Sequence, residues 1–384
     1  MSRHDFSPEE FAGRRRRVFD ALGEAGLDAF LAFHPTTIHW LTGAEAKSYQ
    51  AFQCLIVDRL SQRLHMFTRE AERAEFAADA LIDDLSCWGS ANAGDPVAAF
   101  LALMSRLALD DGRPVGMEIP AYYLHPEHHL VIVSALPDAR EAAGIVRDLR
   151  LVKSEREIAY LREAARIADL SIDALVGELA IGRRENEIAA EIYRVIIAEG
   201  GDAPTVPLNL VSGPRAAFSH GAPTHRRLER GDVGNAEYCV PFKRHTVSIG
   251  RQFVLGEPSS RLLECFAAVR EAAAAMRAAI RDGAPACAPH DAAVAVLEKA
   301  GLAAHRVHTT GYAVATSFPP ATGDGLQMSA GSRQILKAGM LLSLCPNVFI
   351  EEERLGVRVV DNVLVTPDGA QALSRRPNDL IVAA

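Results

Sequence analysis

The spacing of apolar positions changes near residue 150, and the change divides the chain into two halves of different construction. In the first half, short apolar runs alternate with alanine- and leucine-rich stretches. The runs 29–33, 54–57, 115–119 and 130–133 predict buried strands, and 71–81 and 96–108 predict helices. Strands alternating with helices predict an α/β domain over residues 1–150. In the second half, Ser154 and Glu157 form an S-x-x-E capping box, followed by Ile158, Leu161, Ala165, Ala168 and Ile172 at helical spacing. Further helices are predicted over 185–199, 259–281 and 289–300. Strand-like stretches lie between them: 206–211, a hairpin of 233–240 with 246–255, and a second pair, 341–349 with 357–365. Helices interleaved with antiparallel strands predict an α+β domain over 151–384. The chain shows no low-complexity linker and no short-period repeat.

Composition narrows the class. Of 384 residues 49% are hydrophobic, enough for a sizeable core. The formal net charge of −8 argues against nucleic-acid binding, which needs a clustered basic face. The one basic run, Arg14-Arg15-Arg16-Arg17, falls on an amphipathic helical pattern and reads as a solvated face. Six scattered cysteines, with no C-x-x-C pair, fit neither a zinc ribbon nor a disulfide framework. No signal core and no run of 18 apolar residues occurs, so a soluble, cytoplasmic protein without membrane partners is expected.

Four segments in order carry a resemblance. Leu151-Val152-Lys153-Ser154-Glu155-Arg156-Glu157-Ile158 resembles an "IKSxxEI" helix start. Leu228-Glu229-Arg230-Gly231-Asp232-Val233 resembles an "L-x-x-G-D-hydrophobic" strand entry. Lys337-Ala338-Gly339-Met340-Leu341-Leu342-Ser343 is similar to "K-x-G-M-hydrophobic", and Gly356-Val357-Arg358-Val359-Val360-Asp361-Asn362-Val363-Leu364-Val365-Thr366 to "GIRIEDTVLVT". Together they resemble the pita-bread family of aminopeptidase P, prolidase, methionine aminopeptidase, creatinase and ectoine hydrolase. Ile38-His39-Trp40-Leu41-Thr42-Gly43 resembles, more loosely, the creatinase-type N-terminal domain. The resemblance implies a homodimer with an α/β N-terminal domain and an α+β pita-bread catalytic domain.

In the metal-using members two Asp, one His and two Glu hold a pair of ions. By position these fall on Glu237, Ser248, Tyr312, Cys345 and Val360. Only Glu237 is a good ligand for a hard metal, and one carboxylate cannot hold a two-metal clamp. No metal or other cofactor is therefore expected. Ser212-Gly213-Pro214-Arg215-Ala216-Ala217-Phe218-Ser219-His220-Gly221 matches the family's catalytic-histidine loop, which aligns His220 with the acid–base histidine of creatinase. The positions aligned with creatinase's own substrate contacts, Gly250, Cys345, Ser329, Tyr49 and Ala51, depart from them. Ectoine hydrolase, a small-cyclic-amidine hydrolase, is the better comparison, through Thr310-Gly311-Tyr312 and Pro319-Pro320-Ala321-Thr322-Gly323-Asp324.

Hydrolysis of a C–N bond without metal needs an agent that activates water or replaces it, a proton donor for nitrogen, and a substrate held still. Glu237 and His220 are the expected catalytic pair, Glu237 acting on the electrophilic carbon and His220 moving the proton. Tyr312, Cys345 and the loop of Lys47, Tyr49 and Gln53 are expected to line the pocket for a small, polar, nitrogen-rich substrate. Cys345 also reads as a buried small hydrophobe, and Tyr312 as a core aromatic. The expected reaction opens a non-peptide C–N bond in an ectoine-like cyclic amidine, a guanidino compound or an amide. A binding module on the same scaffold and a lyase are the alternatives. The trio Lys243, Arg244 and His245 reads as a solvated face, or as an attractor of an anionic group. Glu351-Glu352-Glu353 reads as an exposed turn, and His128-His129 as lacking enough neighbours for a metal. Arg358, Asp361 and Arg251 read as structural, in buried or half-buried ion pairs.

Overall fold

The computed structural model describes residues 6–45, 48–89 and 94–384. The chain divides into two compact units, Met1–Arg150 and Leu151–Ala384.

In the N-terminal unit the elements run α1 (Pro8–Glu24), β1 (Ala29–Ala32), α2 (Pro35–Thr42), β2 (Cys54–Asp58), β3 (Arg63–Arg69), α3 (Arg73–Asp79), β4 (Asp84–Trp88), α4 (Pro96–Arg106), β5 (Val115–Met117), α5 (Pro126–Ala135), β6 (Arg140–Glu141) and α6 (Ala143–Leu151). They build a six-stranded sheet in the order β4-β3-β2-β1-β5-β6. Period-two alternation explains its continuous apolar strands. Phe30 and Ala32 face one apolar cluster with Trp40 and Leu55, while Ala29 and Leu31 face another with Ile56 and Phe100. A strand buried on both faces has no polar side to show.

Two expectations fail in this unit. Residues 130–133 lie in α5, not in a strand. Pro126 at the first helical position and His125 as cap, accepting from the Glu127 amide at 3.3 Å, start a helix there. A four-residue apolar run does not by itself choose between the two periods. The basic run is also not a solvated face throughout. Arg14 is buried, its guanidinium donating to the Trp40 carbonyl at 2.9 Å and to Glu10 at 2.6 Å, and stacking 4.4 Å from the Phe6 ring.

The C-terminal unit continues with α7 (Glu155–Glu178), α8 (Glu185–Ala198), β7 (Asn209–Ser212), β8 (Val233–Phe242), β9 (His245–Leu255), α9 (Ser260–Ala279), α10 (Cys287–Lys299), β10 (Gly311–Phe318), β11 (Ala321–Met328), β12 (Leu341–Leu344), β13 (Val348–Ile350), β14 (Leu355–Val357), β15 (Asp361–Thr366), β16 (Gly369–Ala372) and β17 (Ile381–Ala383). One nine-stranded sheet takes the order β16-β15-β12-β10-β9-β8-β7, with β11 beside β10 and β17 beside β9. Its two faces carry separate apolar clusters, one shared with α7 and α8, the other with α9 and α10. Ala236, Tyr238 and Val240 of β8 enter the first cluster. Alternation therefore turns Glu237 and Cys239 to the opposite face, and a register slip of one residue would bury that carboxylate in hydrocarbon.

The expected second strand pair is broken. Residues 341–349 form β12 and β13, and 357–365 span the end of β14 and most of β15; β12 pairs with β15, and β13 with β14. Pro346 has no amide to give a ladder, and the interruption frees Cys345 and residues 358–360 from regular pairing. The β8–β9 hairpin closes through two residues, Lys243 and Arg244, with φ of 47° and 67°. Such a turn usually takes Asn-Gly. Here aromatic rings hold it, with Lys243 Nζ 5.1 Å from the Tyr160 ring centre and the Arg244 guanidinium 4.6 Å from that of Phe318. His245 is buried against Glu157 at 3.6 Å, so this trio is not a solvated face. Glu351-Glu352-Glu353 forms an exposed turn between β13 and β14, with Glu353 paired to Arg261 at 2.8 Å.

Glu157 serves two elements at once. One oxygen completes the capping box of α7 by accepting from the Ser154 amide at 2.8 Å, and the other faces His245. Ser154→Ala is expected to cost about 1 kcal/mol in urea unfolding. Glu157→Ala should cost more, because it removes the cap and the buried partner of His245 together.

Candidate active site

Glu237 sits on β8, between the edge strand β7 and β9, with Asn209 of β7 and Gly250 of β9 as its partners across the ladder. Gly250 also bridges to Val360, its amide donating to the Val360 carbonyl at 3.0 Å and its carbonyl accepting from the Val360 amide at 3.2 Å. A Cβ on residue 250 would stand 2.8 Å from the Val360 methyl, so glycine is what allows this approach. Ser248 stands opposite Cys239, with their side chains 4.0 Å apart. Tyr312 pairs with Ser343, and the Cys345 amide donates to the Thr310 carbonyl at 2.7 Å. Of the five positions expected from the family's metal ligands, Glu237, Ser248 and Tyr312 thus lie on the neighbouring strands β8, β9 and β10, and Cys345 and Val360 lie outside the strands, hydrogen-bonded to Thr310 and Gly250.

Arg358 organises this neighbourhood. Its side chain is 1% exposed. One terminal nitrogen donates to Glu237 Oε2 and the other to the Ser219 carbonyl. Its backbone amide donates to Gln252 Oε1 at 2.9 Å, and its guanidinium lies 5.2 Å from the Phe349 ring centre. The expected ion pair is present, but its partner is Glu237. Asp361 pairs instead with Arg251 at 2.9 Å. The other carboxylate oxygen of Glu237, Oε1, accepts no hydrogen bond among the described residues, and the side chain keeps 16% exposure.

His220 follows the residue whose carbonyl Arg358 holds, so one guanidinium ties the catalytic-loop candidate to the carboxylate candidate. The imidazole is partly exposed and packs edge-on against His308, ring centres 5.5 Å apart; His308 in turn lies 6.4 Å from Tyr312. Partial burial lowers the pKa of His220, and the positive charge of Arg358 lowers it further, against an opposing pull from Glu237. Burial pushes the Tyr312 hydroxyl well up, a rise reinforced by Cys345, Cys239 and Glu237 and opposed by a hydrogen bond with Ser248. Burial, and next the charge of Glu237, push the Cys345 thiol up, which disfavours a thiolate nucleophile.

The donor set does not fit a dinuclear metal centre. Glu237 already balances a guanidinium, Tyr312 and Cys345 resist deprotonation, and Ser248 offers a neutral hydroxyl. Val360 offers nothing. Among the described residues, no group of three or more His, Cys, Asp or Glu is placed to hold a metal ion.

The structure thus gathers Glu237, His220, Tyr312 and Cys345 in one unit. Tyr49 and Gln53 belong to the N-terminal unit, where Tyr49 meets Tyr123 edge-on at 5.8 Å and Gln53 is buried with neither amide atom hydrogen-bonded among the described residues. Lys47 lies outside the described residues. His308 was missed, although it stands four residues before Tyr312 in His308-Thr309-Thr310-Gly311-Tyr312.

Comparisons with known proteins agree with this frame. The model of Metallopeptidase family M24 matches residues 159–367, and that of the Creatinase/Prolidase N-terminal domain matches residues 14–152. The chain belongs to metallopeptidase family M24. It combines a creatinase-type N-terminal domain with the pita-bread fold. Ectoine hydrolase of Halomonas elongata is 25% identical over 400 residues, covering 98% of each chain. An Xaa-Pro dipeptidase of Pyrococcus furiosus is 27% identical over 65% of this chain and 70% of its own length. The crystal structure of dipeptidase PepE from Mycobacterium ulcerans superposes with a TM-score of 0.85 at 26% identity, covering 99% of both chains. Among the described residues, no helix of this M24 protein is long and apolar enough to cross a membrane.

The electrostatics of His220 give a direct test. Its NMR titration midpoint should lie below the ordinary value of about 6.5. Arg358→Met should raise it, because the substitution removes a nearby positive charge and leaves Glu237 unbalanced. An unchanged midpoint would show that the guanidinium does not act on the ring.

Proposed function

We propose that this M24 protein is a metal-independent hydrolase that opens a non-peptide C–N bond in a small, polar, nitrogen-rich compound, working as a homodimer. The observation that carries the reading is the shared clamp of Arg358 on Glu237 and on the carbonyl before His220, in a site whose donors do not suit two metal ions. Likeness to ectoine hydrolase over 98% of each chain supports an amidine or amide; the dipeptidase PepE matches over as much of the chain, so the choice against a peptide rests on the donor set. A guanidino substrate is disfavoured, since Arg358 already supplies the cation that Glu237 would attract.

The proposed chemistry is the addition of water. His220, held neutral near pH 7 by its lowered pKa, takes a proton from water. Glu237 addresses the electrophilic carbon through its free Oε1, steering the attacking oxygen. The water oxygen bonds to carbon, and the proton on His220 passes to the leaving nitrogen as the C–N bond breaks. Tyr312, kept protonated by burial, donates a hydrogen bond to the substrate beside Cys345.

One observation favours a second reading, a binding module. Glu237 is already satisfied on one oxygen by Arg358, which a ligand-binding site tolerates as well as a catalytic one. Product analysis separates the two. Glu237→Gln, which keeps a hydrogen-bond acceptor for Arg358 but lowers Tm, should reduce kcat by about 10²-fold or more in the protein that remains folded, and stabilisation by ligand with no product would support the binder. Turnover should survive dialysis against a chelator; activity lost on chelation and restored by manganese or cobalt would return the reaction to metal chemistry.

A further inference from the structure

Away from Glu237, the C-terminal unit holds a cavity of about 520 Å³ between α7 and the chain around β16. That volume lies within the range of roughly 300–1,000 Å³ typical of small-molecule sites. Helical spacing brings Arg162, Arg166 and Asp169 to one face of α7, with Glu163 beside them, and Gln371 and Arg375 close the other side. Three guanidinium groups thus meet two carboxylates. Both carboxylates are already committed. Glu163 accepts from Arg166 Nε at 2.9 Å, and Arg166 also reaches Glu199 at 3.1 Å. Asp169 accepts from the Ser374 hydroxyl at 2.5 Å and from the Arg375 backbone amide at 2.9 Å. The guanidinium groups of Arg162 and Arg375 have no hydrogen-bond or ion-pair partner among the described residues.

We infer that this cavity is a binding site for a small polyanion. Two planar, permanently charged forks facing one concavity repel each other when empty, and each can grip a phosphate or carboxylate group through two parallel hydrogen bonds. A ligand with two anionic groups answers both, and the Gln371 amide in the same wall adds a donor. The carboxylates in the wall do not compete, since each has its own partner. The shared chemistry is a bis-phosphate or a polycarboxylate of metabolite size. The site is separate from the proposed catalytic pair and does not depend on its role.

Pyrophosphate and citrate, each titrated into the full-length protein at constant ionic strength, distinguish the two sources of charge. Calorimetry should show saturable one-site binding of at least one of them, with a matching rise in Tm. Arg162→Gln and Arg375→Gln should each weaken binding by about tenfold, as expected for a lost charge-assisted pair. Gln371→Glu, which places a negative charge in the cavity and leaves every ion pair intact, should weaken it as well. Citrate alone would assign a polycarboxylate site and pyrophosphate alone a phosphate site. Absence of saturable binding of either anion, or binding undiminished in Arg162→Gln, Arg375→Gln and Gln371→Glu, overturns the inference.

Discussion

A guanidinium buried to 1% exposure has to be answered by negative charge and hydrogen-bond acceptors, and the answer given to Arg358 fixes the geometry of the whole site. Glu237 comes from β8, the Ser219 carbonyl from the loop that ends in His220, Gln252 from β9 and Phe349 from β13. Four segments separated in sequence meet at one residue, two of them at its guanidinium and Gln252 at its backbone amide. Glu237 cannot move away without leaving the charge uncompensated in a region of low dielectric, a loss of several kcal/mol. The clamp therefore gives an exposed loop the positional definition of the sheet. His220 inherits that definition through the residue before it.

The same cation decides the electrostatic character of the site. A site built for two divalent ions would carry several carboxylates. Here one carboxylate faces one guanidinium, so the pair is close to neutral and the remaining polar side chains are Ser248, Tyr312, Cys345 and the two histidines. Burial keeps the hydroxyl of Tyr312 and the thiol of Cys345 protonated. The imidazole of His220 is pushed the other way, toward its neutral form. A site of neutral donors and one neutral base favours proton transfer to and from an uncharged reacting centre. The strong field of a metal-bound hydroxide has no counterpart among these groups.

Much of this was legible in the sequence, and what escaped did so for physical reasons. The capping box at Ser154, the alternation of β8 and the hairpin to β9 rest on local rules, and they formed as those rules require. Glu237 and His220 were singled out by position within motifs. Arg358 was read as structural because its partner lies 121 residues away and no local pattern names it. The apolar run 130–133 was misassigned because four residues sample too little of either period, and Pro126 decided the matter from outside the run. Arg14 and His245 were read as solvated because charge next to charge in sequence implies exposure only when no aromatic or acidic partner folds over it. Phe6, Trp40, Tyr160 and Glu157 do so here. The break of two long strands at Pro346 and at residues 358–360 was visible as a proline, but its consequence was not. It is what lets Cys345, Arg358 and Val360 leave the ladder, the last two meeting over Gly250.

The fold does not need metal ligands to persist. Its cohesion lies in two apolar clusters on opposite faces of the nine-stranded sheet, with Phe253, Ile249 and Leu161 on one side and Val269, Met276 and Leu342 on the other. Burial of such side chains contributes roughly 1.5–3 kcal/mol each, which outweighs what a handful of site residues add. Valine at position 360 even joins the apolar packing, seated on Gly250. A scaffold stabilised this way leaves the centre of its sheet open to different chemistries. The limiting condition is that each buried charge placed there finds its partner, and the pairing of Arg358 with Glu237 meets it.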